Sequence, residues 1–285
     1  MFTKIRTYFE MIKFQHTVFA LPFALTAAIV ADHGIPEIRV LGWILVAMFG
    51  ARSAAMGFNR IVDRHIDALN PRTRERELPT GRISLPTAAV LTLVCAGLFV
   101  FAAHQLNSLA FLLSFPTLFV LCLYSYTKRF TSYSHFVLGL CLGIAPVGAW
   151  VAVRGEVSYV PALLGLGVLL WVAGFDIIYA TMDDEFDRSV GLHSIVQKLG
   201  VTGGLNLAKR LHILFTLTLA AFGIVAGLGF PFFLGTGIVA LLLFLEHALV
   251  RADDLTRVNV AFFNVNGIVS GLVFVATALD LLISR

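Results

Sequence analysis

The chain has 285 residues, of which 58% are hydrophobic and only 13% charged, with a mean hydropathy of +0.88 and a formal net charge of +4. Soluble domains carry about 25% charged residues, so water is excluded as the main solvent of this chain. Cys95, Cys122 and Cys141 all lie in apolar stretches without CxxC spacing, which argues against a zinc site or a disulfide framework.

Apolar stretches long enough to cross a hydrocarbon core of about 30 Å as helices recur along the whole length. They predict spans near 14–32, 38–58, 86–103, 108–126, 134–153, 159–182, 211–229, 231–250 and 260–282. The expected fold is therefore all-α: a single domain over 1–285, built as a bundle of about nine transmembrane helices around a central cavity open to the cytoplasmic side. No small-residue cleavage pattern follows MFTKIRTYFEMIKFQ, so the first helix is expected to be retained.

The intervals between spans alternate in character. One set is basic: Lys4, Arg6 and Lys13; Arg60, Arg64, Arg72, Arg74, Arg76 and Arg82 in 59–85; Lys128 and Arg129; the loop expected at 183–210; and Arg251 with Arg257. The other set holds only Arg39, Arg154 and the terminal Arg285. The positive-inside rule makes the basic set cytoplasmic, with the N-terminus inside and the C-terminus outside. Asn70-Pro71 should end the helix that runs on through 59–69, and Ser84 before Leu85-Pro86 reads as the N-cap of the next one.

Charge at the membrane end of a helix is costly, and the acids concentrate in two places. Asn59, Asp63 and Asp67 follow at intervals of four, a rotation of about 400° each, so their oxygens share one stripe. Asp176, Asp183 and Asp187 are spaced seven and four, so these three are also expected to share a face, with Asp184 turned away. Clustered carboxylates need cations between them, and hard oxygen donors suit Mg²⁺, which usually keeps waters and takes phosphate oxygens as further ligands. Arg72, Arg76 and Lys128 supply the basic groups for such a phosphate, and the pieces fit a diphosphate. Arg52 lies deeper, inside the second span, where solvation is a poor account of its charge. Asp184, Glu185 and Glu75 are expected to be solvated, and Asp253 with Asp254 to cap a loop. His65, His135 and His193 are expected to be loop or interfacial residues, and most of the 25 phenylalanines to face lipid or core.

These blocks resemble a known family. NRIVDRHIDALNPRTRERELPTGRIS is similar to the NxxxDxxxD helix and arginine-rich loop of the UbiA superfamily of intramembrane aromatic prenyltransferases, DIIYATMDDEFDRSVGLHS to its DxxYAxxDxxxD helix, and YSYTKR at 124–129 to its intervening Tyr/Lys/Arg segment. The resemblance spans nearly the whole chain. It implies an enzyme that moves a polyprenyl group from polyprenyl diphosphate to an aromatic acid, with Mg²⁺ held by Asn59, Asp63, Asp67, Asp183 and Asp187. Asp176 would lie in or beside that shell, Arg72, Arg76 and Lys128 would bind the diphosphate, and Tyr124 and Tyr179 would lie at the reacting centre. Arg52 stands where members using 4-hydroxybenzoate have an arginine for its carboxylate; a structural pair with Asp63 and snorkelling are its alternatives. Ser125 departs from the proline often found there, which leaves the local bend open.

The acceptor implied is a 4-hydroxybenzoate-like acid in ubiquinone biosynthesis, or alternatively a dihydroxynaphthoate in menaquinone biosynthesis. The ring proton would pass to a carboxylate such as Asp176 or to released diphosphate. The expected location is the inner (plasma) membrane of a bacterium, with membrane lipid and the two substrates as partners and no nucleic acid. A secondary transporter is the rival class, but its charges would lie near the midplane rather than at cytoplasmic helix ends beside arginine-rich loops.

Overall fold

The computed structural model describes residues 2–12, 19–258 and 265–283, with side chains from residue 6 onward. Lys13, Arg285, the side chain of Lys4 and the starts of the spans expected at 14–32 and 260–282 lie outside the described residues. Within them the chain is all-helical and has no strand. In order come α1 (Phe2–Met11), α2 (Leu21–Asp32), α3 (Ile38–Leu69), α4 (Leu85–Leu106), α5 (Ser108–Thr127) and α6 (Ser134–Arg154). They are followed by α7 (Tyr159–Ala180), α8 (Asp184–Ser189), α9 (Ile195–Val225), α10 (Phe230–Leu249) and α11 (Asn266–Ile283).

Eight of these, α3 to α7 and α9 to α11, are long and apolar enough to cross a membrane. The expected first span is represented by α2, an apolar helix of 12 residues. At 1.5 Å per residue the 32 residues of α3 reach about 48 Å, well beyond a hydrocarbon core of about 30 Å, so its polar end at Asn59–Leu69 need not lie in lipid. The helices fall into two compact units, Met1–Thr17 with Ile38–Tyr126, and Val18–Glu37 with Thr127–Arg285.

In the first unit α1 lies against α3 and α4. Its Tyr8 hydroxyl donates to Ser53 O at 3.0 Å and lies 3.2 Å from Thr92 Oγ1. Gly57 makes room for this contact, since a Cβ there would collide with both the Tyr8 and Thr92 oxygens. The buried Arg60 donates from Nε to Met11 O at 3.3 Å, placing a cation at the C-terminal, negative end of α1.

In the second unit α6 and α7 approach so closely that a Cβ on Gly139 would strike Leu169 O. That is the small-residue packing by which helices associate in lipid, where no hydrophobic drive separates helix from solvent. The fully buried Trp171 of α7 is surrounded by the rings of Phe23, Phe175 and Phe215. Its Nε1 donates to Asn266 Oδ1 at 2.7 Å, Asn266 donates on to Glu246 Oε1 at 2.8 Å, and His212 Nε2 meets Trp171 O at 3.2 Å. The four helices α7, α9, α10 and α11 are thus joined by polar bonds inside an apolar unit, where each bond left unmade is expensive. Asp280 of α11 caps a different helix: its carboxylate accepts from Gly229 N at 2.9 Å, the start of α10, satisfying donors left open there.

The loop expected over 183–210 is instead mostly helical. Ser194 caps α9 by accepting from Gln197 N at 3.1 Å, and Ile195, Val196, Gly204 and Ala208 form a buried face. Lys198, Lys209 and Gly203-Gly204 mask that face in the sequence. Gly200, at φ 73°, marks a break within the helix that a residue without Cβ adopts readily.

Candidate active site

The first acidic block belongs to the first unit and ends α3. Asp63 and Asp67 are buried, at 2% and 5% exposure, and Asn59 Nδ2 donates to Asp63 Oδ2 at 3.1 Å. The helix stops at Leu69, as Asn70-Pro71 predicts, and the Asn70 side chain accepts from Arg72 N at 2.9 Å to start the turn. The chain then folds back over the helix end. Thr73 Oγ1 donates to Asp67 O at 3.0 Å, and Arg76 Nη1 reaches Asp67 Oδ1 at 2.7 Å. Asp67 Oδ2 is buried and has no hydrogen-bond partner among the described residues.

Arg72 is exposed and Arg76 half-buried. Two turns before Asn59 along α3, Arg52 has a buried Nε with no hydrogen-bond partner among the described residues. Tyr124 is half-buried near the end of α5, where Tyr126 meets Phe58 edge-on at 6.0 Å. α5 remains helical through Ser125 to Thr127, so serine at that position introduces no break.

The second block belongs to the second unit and is built differently. α7 ends at Ala180; Thr181, Met182 and Asp183 make a tight turn, their N–H groups bonding three residues back, before α8 begins at Asp184. Asp176, Asp183 and Asp187 therefore do not share the face of one continuous helix, which corrects the spacing argument. Asp183 and Asp187 do lie one helical turn apart, joined by Asp187 N to Asp183 O at 2.8 Å. Asp184 is engaged by Arg188 Nε at 3.1 Å, and Glu185 is exposed. Tyr179 is half-buried against the cluster containing Ile178 and Val196. Lys128 is half-buried, and its carbonyl accepts from His193 N at 2.8 Å.

One partner was not anticipated. His135 is no loop residue: it is buried in the first turn of α6, with Nδ1 2.7 Å from Asp176 Oδ2. Only the fold joins these positions, 41 residues apart, and no spacing signals the pair. The buried Glu246 was missed as well, although an acid within an apolar span is itself a signal. Asp254 closes a surface turn, accepting from Thr256 N and Oγ1, and those bonds hold its carboxyl below the ordinary range.

Within neither unit do three of His, Cys, Asp and Glu converge as a metal cage among the described residues. Magnesium takes phosphate oxygens and water as well as carboxylate oxygens. The donor type fits: Asp67 offers a buried oxygen that no donor occupies among the described residues.

Eight helices long and apolar enough to cross a membrane, among the described residues, define the class of an integral membrane protein. The chain belongs to the UbiA prenyltransferase family, whose model matches residues 20–268, and so is a prenyltransferase. A 4-hydroxybenzoate octaprenyltransferase of Neisseria gonorrhoeae (strain NCCP11945) is 31% identical over 222 residues, 78% of this chain and 75% of that one. A UbiA homologue from Aeropyrum pernix K1, solved in the apo form, matches with a TM-score of 0.86 at 35% identity, covering 93% of this chain and 98% of that one. A UbiA homologue from Archaeoglobus fulgidus bound to DMAPP and Mg²⁺ shares the fold, with a TM-score of 0.74 at 19% identity over 97% of this chain and 99% of that one.

Proposed function

We propose that the protein transfers a polyprenyl group from polyprenyl diphosphate to the ring of an aromatic acid of the 4-hydroxybenzoate kind, with Mg²⁺, in quinone biosynthesis. The observation that carries this reading is Asp67, one oxygen held by Arg76 and the other buried without a hydrogen-bond partner among the described residues, an arrangement suited to a bound cation. Asn59, Asp63, Asp67, Asp183 and Asp187 hold the metal, and Arg72, Arg76 and Lys128 hold the diphosphate. Bound magnesium contributes electrostatic stabilisation of the leaving diphosphate.

The basic residues bind the same developing charge, so the allylic C–O bond breaks with its electron pair leaving on oxygen. Tyr124 and Tyr179 offer π faces to the allylic cation, and the acceptor ring attacks it. The ring proton then passes to Asp176 or to the released diphosphate, restoring aromaticity. Arg52 receives the acceptor's carboxylate, which supplies the partner its buried Nε lacks among the described residues.

Membranes containing the protein, given labelled polyprenyl diphosphate and a panel of phenolic and naphthoic acids, should yield a prenylated 4-hydroxybenzoate identified by mass, and none in EDTA. A product from the dihydroxynaphthoate alone would move the reading to menaquinone biosynthesis; undiminished turnover in EDTA would remove the metal. The enzyme lies in a bacterial inner membrane with its N-terminus in the cytoplasm. In a cysteine-free background, Arg74→Cys and Val190→Cys should resist an impermeant thiol reagent until cells are lysed, and labelling of intact cells would reverse the orientation.

A further inference from the structure

We infer that His135 is a positioning residue for the reaction: its imidazole orients the Asp176 carboxylate and ties it to the start of α9. The inference rests on the reading of Asp176 as part of the reacting centre. His135 Nε2 accepts from Ile195 N at 3.4 Å, so the ring proton sits on Nδ1, and Nδ1–H donates to Asp176 Oδ2 at 2.7 Å. The imidazole side chain is 5% exposed and that of Asp176 21%, so the bond is formed away from most solvent while the carboxylate retains an open side. A carboxylate with one oxygen fixed by a buried donor is held in one orientation.

The other ring nitrogen has its own task. Ile195 N–H is the first donor of α9, one of those a helix leaves without an internal partner, and His135 satisfies it. The preceding segment is anchored on both sides: Leu192 N donates to Asp187 O at 2.9 Å, and His193 N to Lys128 O at 2.8 Å. Through one imidazole the stretch that follows Asp187 and the carboxylate of Asp176 are held in register.

The two bonds can be separated by substitution, because the amide of asparagine falls near Nδ1 of histidine and that of glutamine near Nε2. His135→Asn keeps a donor for Asp176 and gives up Ile195; His135→Gln keeps an acceptor for Ile195 and gives up Asp176. Turnover, both KM values and melting in detergent are measured for these variants, for Asp176→Ala and for the double variant His135→Gln/Asp176→Ala. His135→Asn is expected to retain most of its kcat and to melt lower. His135→Gln is expected to melt as the parent does and to lose roughly 10- to 100-fold in kcat, the cost of a misplaced reacting group, with both KM values within about twofold. The double variant should be no slower than Asp176→Ala. A His135→Gln enzyme with parental melting and parental kcat, or losses that multiply in the double variant, would overturn the inference. Near-parental kcat for Asp176→Ala would instead remove Asp176 from the reacting centre.

Discussion

The two acidic blocks carry the same kind of side chain on opposite structural plans. In the first, the carboxylates lie on an unbroken helix whose end is clasped by the next few residues: Thr73 to the backbone carbonyl of Asp67 across six positions, Arg76 to its carboxylate across nine. In the second, the helix breaks between Asp176 and Asp183, and the fixing contacts come from far along the chain: His135 to Asp176 across 41 positions, Ile195 to His135 across 60. A carboxylate site can be held either by an unbroken helix with a local clasp or by a turn between helices fixed from elsewhere in the chain. The second plan binds several helices together, so errors in it should spread further.

The comparison breaks most sharply if the two plans do not serve the same chemistry. Asp63→Ala and Asp183→Ala should each lower turnover by at least on the order of 100-fold, the usual consequence of removing an electrostatic stabiliser of a transition state. The check is initial rate with saturating labelled prenyl diphosphate. Parental turnover in either variant would leave that block without a role in the reaction.

Arg52 tests whether the long first helix also reaches the acceptor. Losing a hydrogen-bonded charge costs about 1.5–3 kcal/mol, so Arg52→Ala should raise the acceptor KM roughly 10- to 100-fold and leave that for prenyl diphosphate nearly unchanged. The preference for an aromatic acid over its neutral amide should narrow as well. A parallel rise in both KM values would make Arg52 structural.

The local clasp gives a smaller effect of a distinct kind. Arg76→Ala leaves the carboxylate of Asp67, whose side chain is 7% exposed, without the cation now 2.7 Å away, at a cost of about 1–3 kcal/mol in stability. Melting in detergent should fall accordingly, with kcat/KM for prenyl diphosphate lowered about tenfold. Adding Asp67→Asn removes the stranded charge, so the double variant should recover melting but not activity. If activity returned too, Asp67 would serve the fold alone.

Legibility in the sequence followed the same divide. Helix periodicity, the Asn70-Pro71 stop and the four-residue spacing of Asn59, Asp63 and Asp67 are local facts, and the structure of that region matches them. The break after Ala180 was hidden because Thr181, Met182 and Asp183 carry no strong breaker and the spacing continues through them as if one helix ran on. The start of α9 was hidden because three glycines and scattered polar residues interrupt its pattern, while its buried residues are spread over Ile195, Val196, Gly204 and Ala208. His135 was the least legible of all: tertiary packing decides that partner, and nothing near position 135 or 176 encodes it.

The smallest effect distinguishes two serines that look alike in sequence. Ser84 and Ser194 each close the loop after an acidic block, and each occupies the N-cap position of the helix that follows. Their side chains do different things. Ser194 is buried at 3% exposure, and its Oγ accepts from Gln197 N at 3.1 Å, satisfying a helix donor that has no other partner in the first turn. Ser84 makes no such bond; its exposed hydroxyl lies 2.8 Å from Thr87 Oγ1, and Pro86 already removes one of the donors a cap would serve. Ser194→Ala should therefore cost about 1 kcal/mol, within the range for loss of an N-cap, and Ser84→Ala only a few tenths. Denaturant or thermal unfolding of the two variants side by side in one detergent gives the difference directly, free of any assumption about substrate. If the two alanine variants melt together, the cap of α9 adds no stability of its own. The register of residues 192–195 would then depend on the His135, Lys128 and Asp187 contacts.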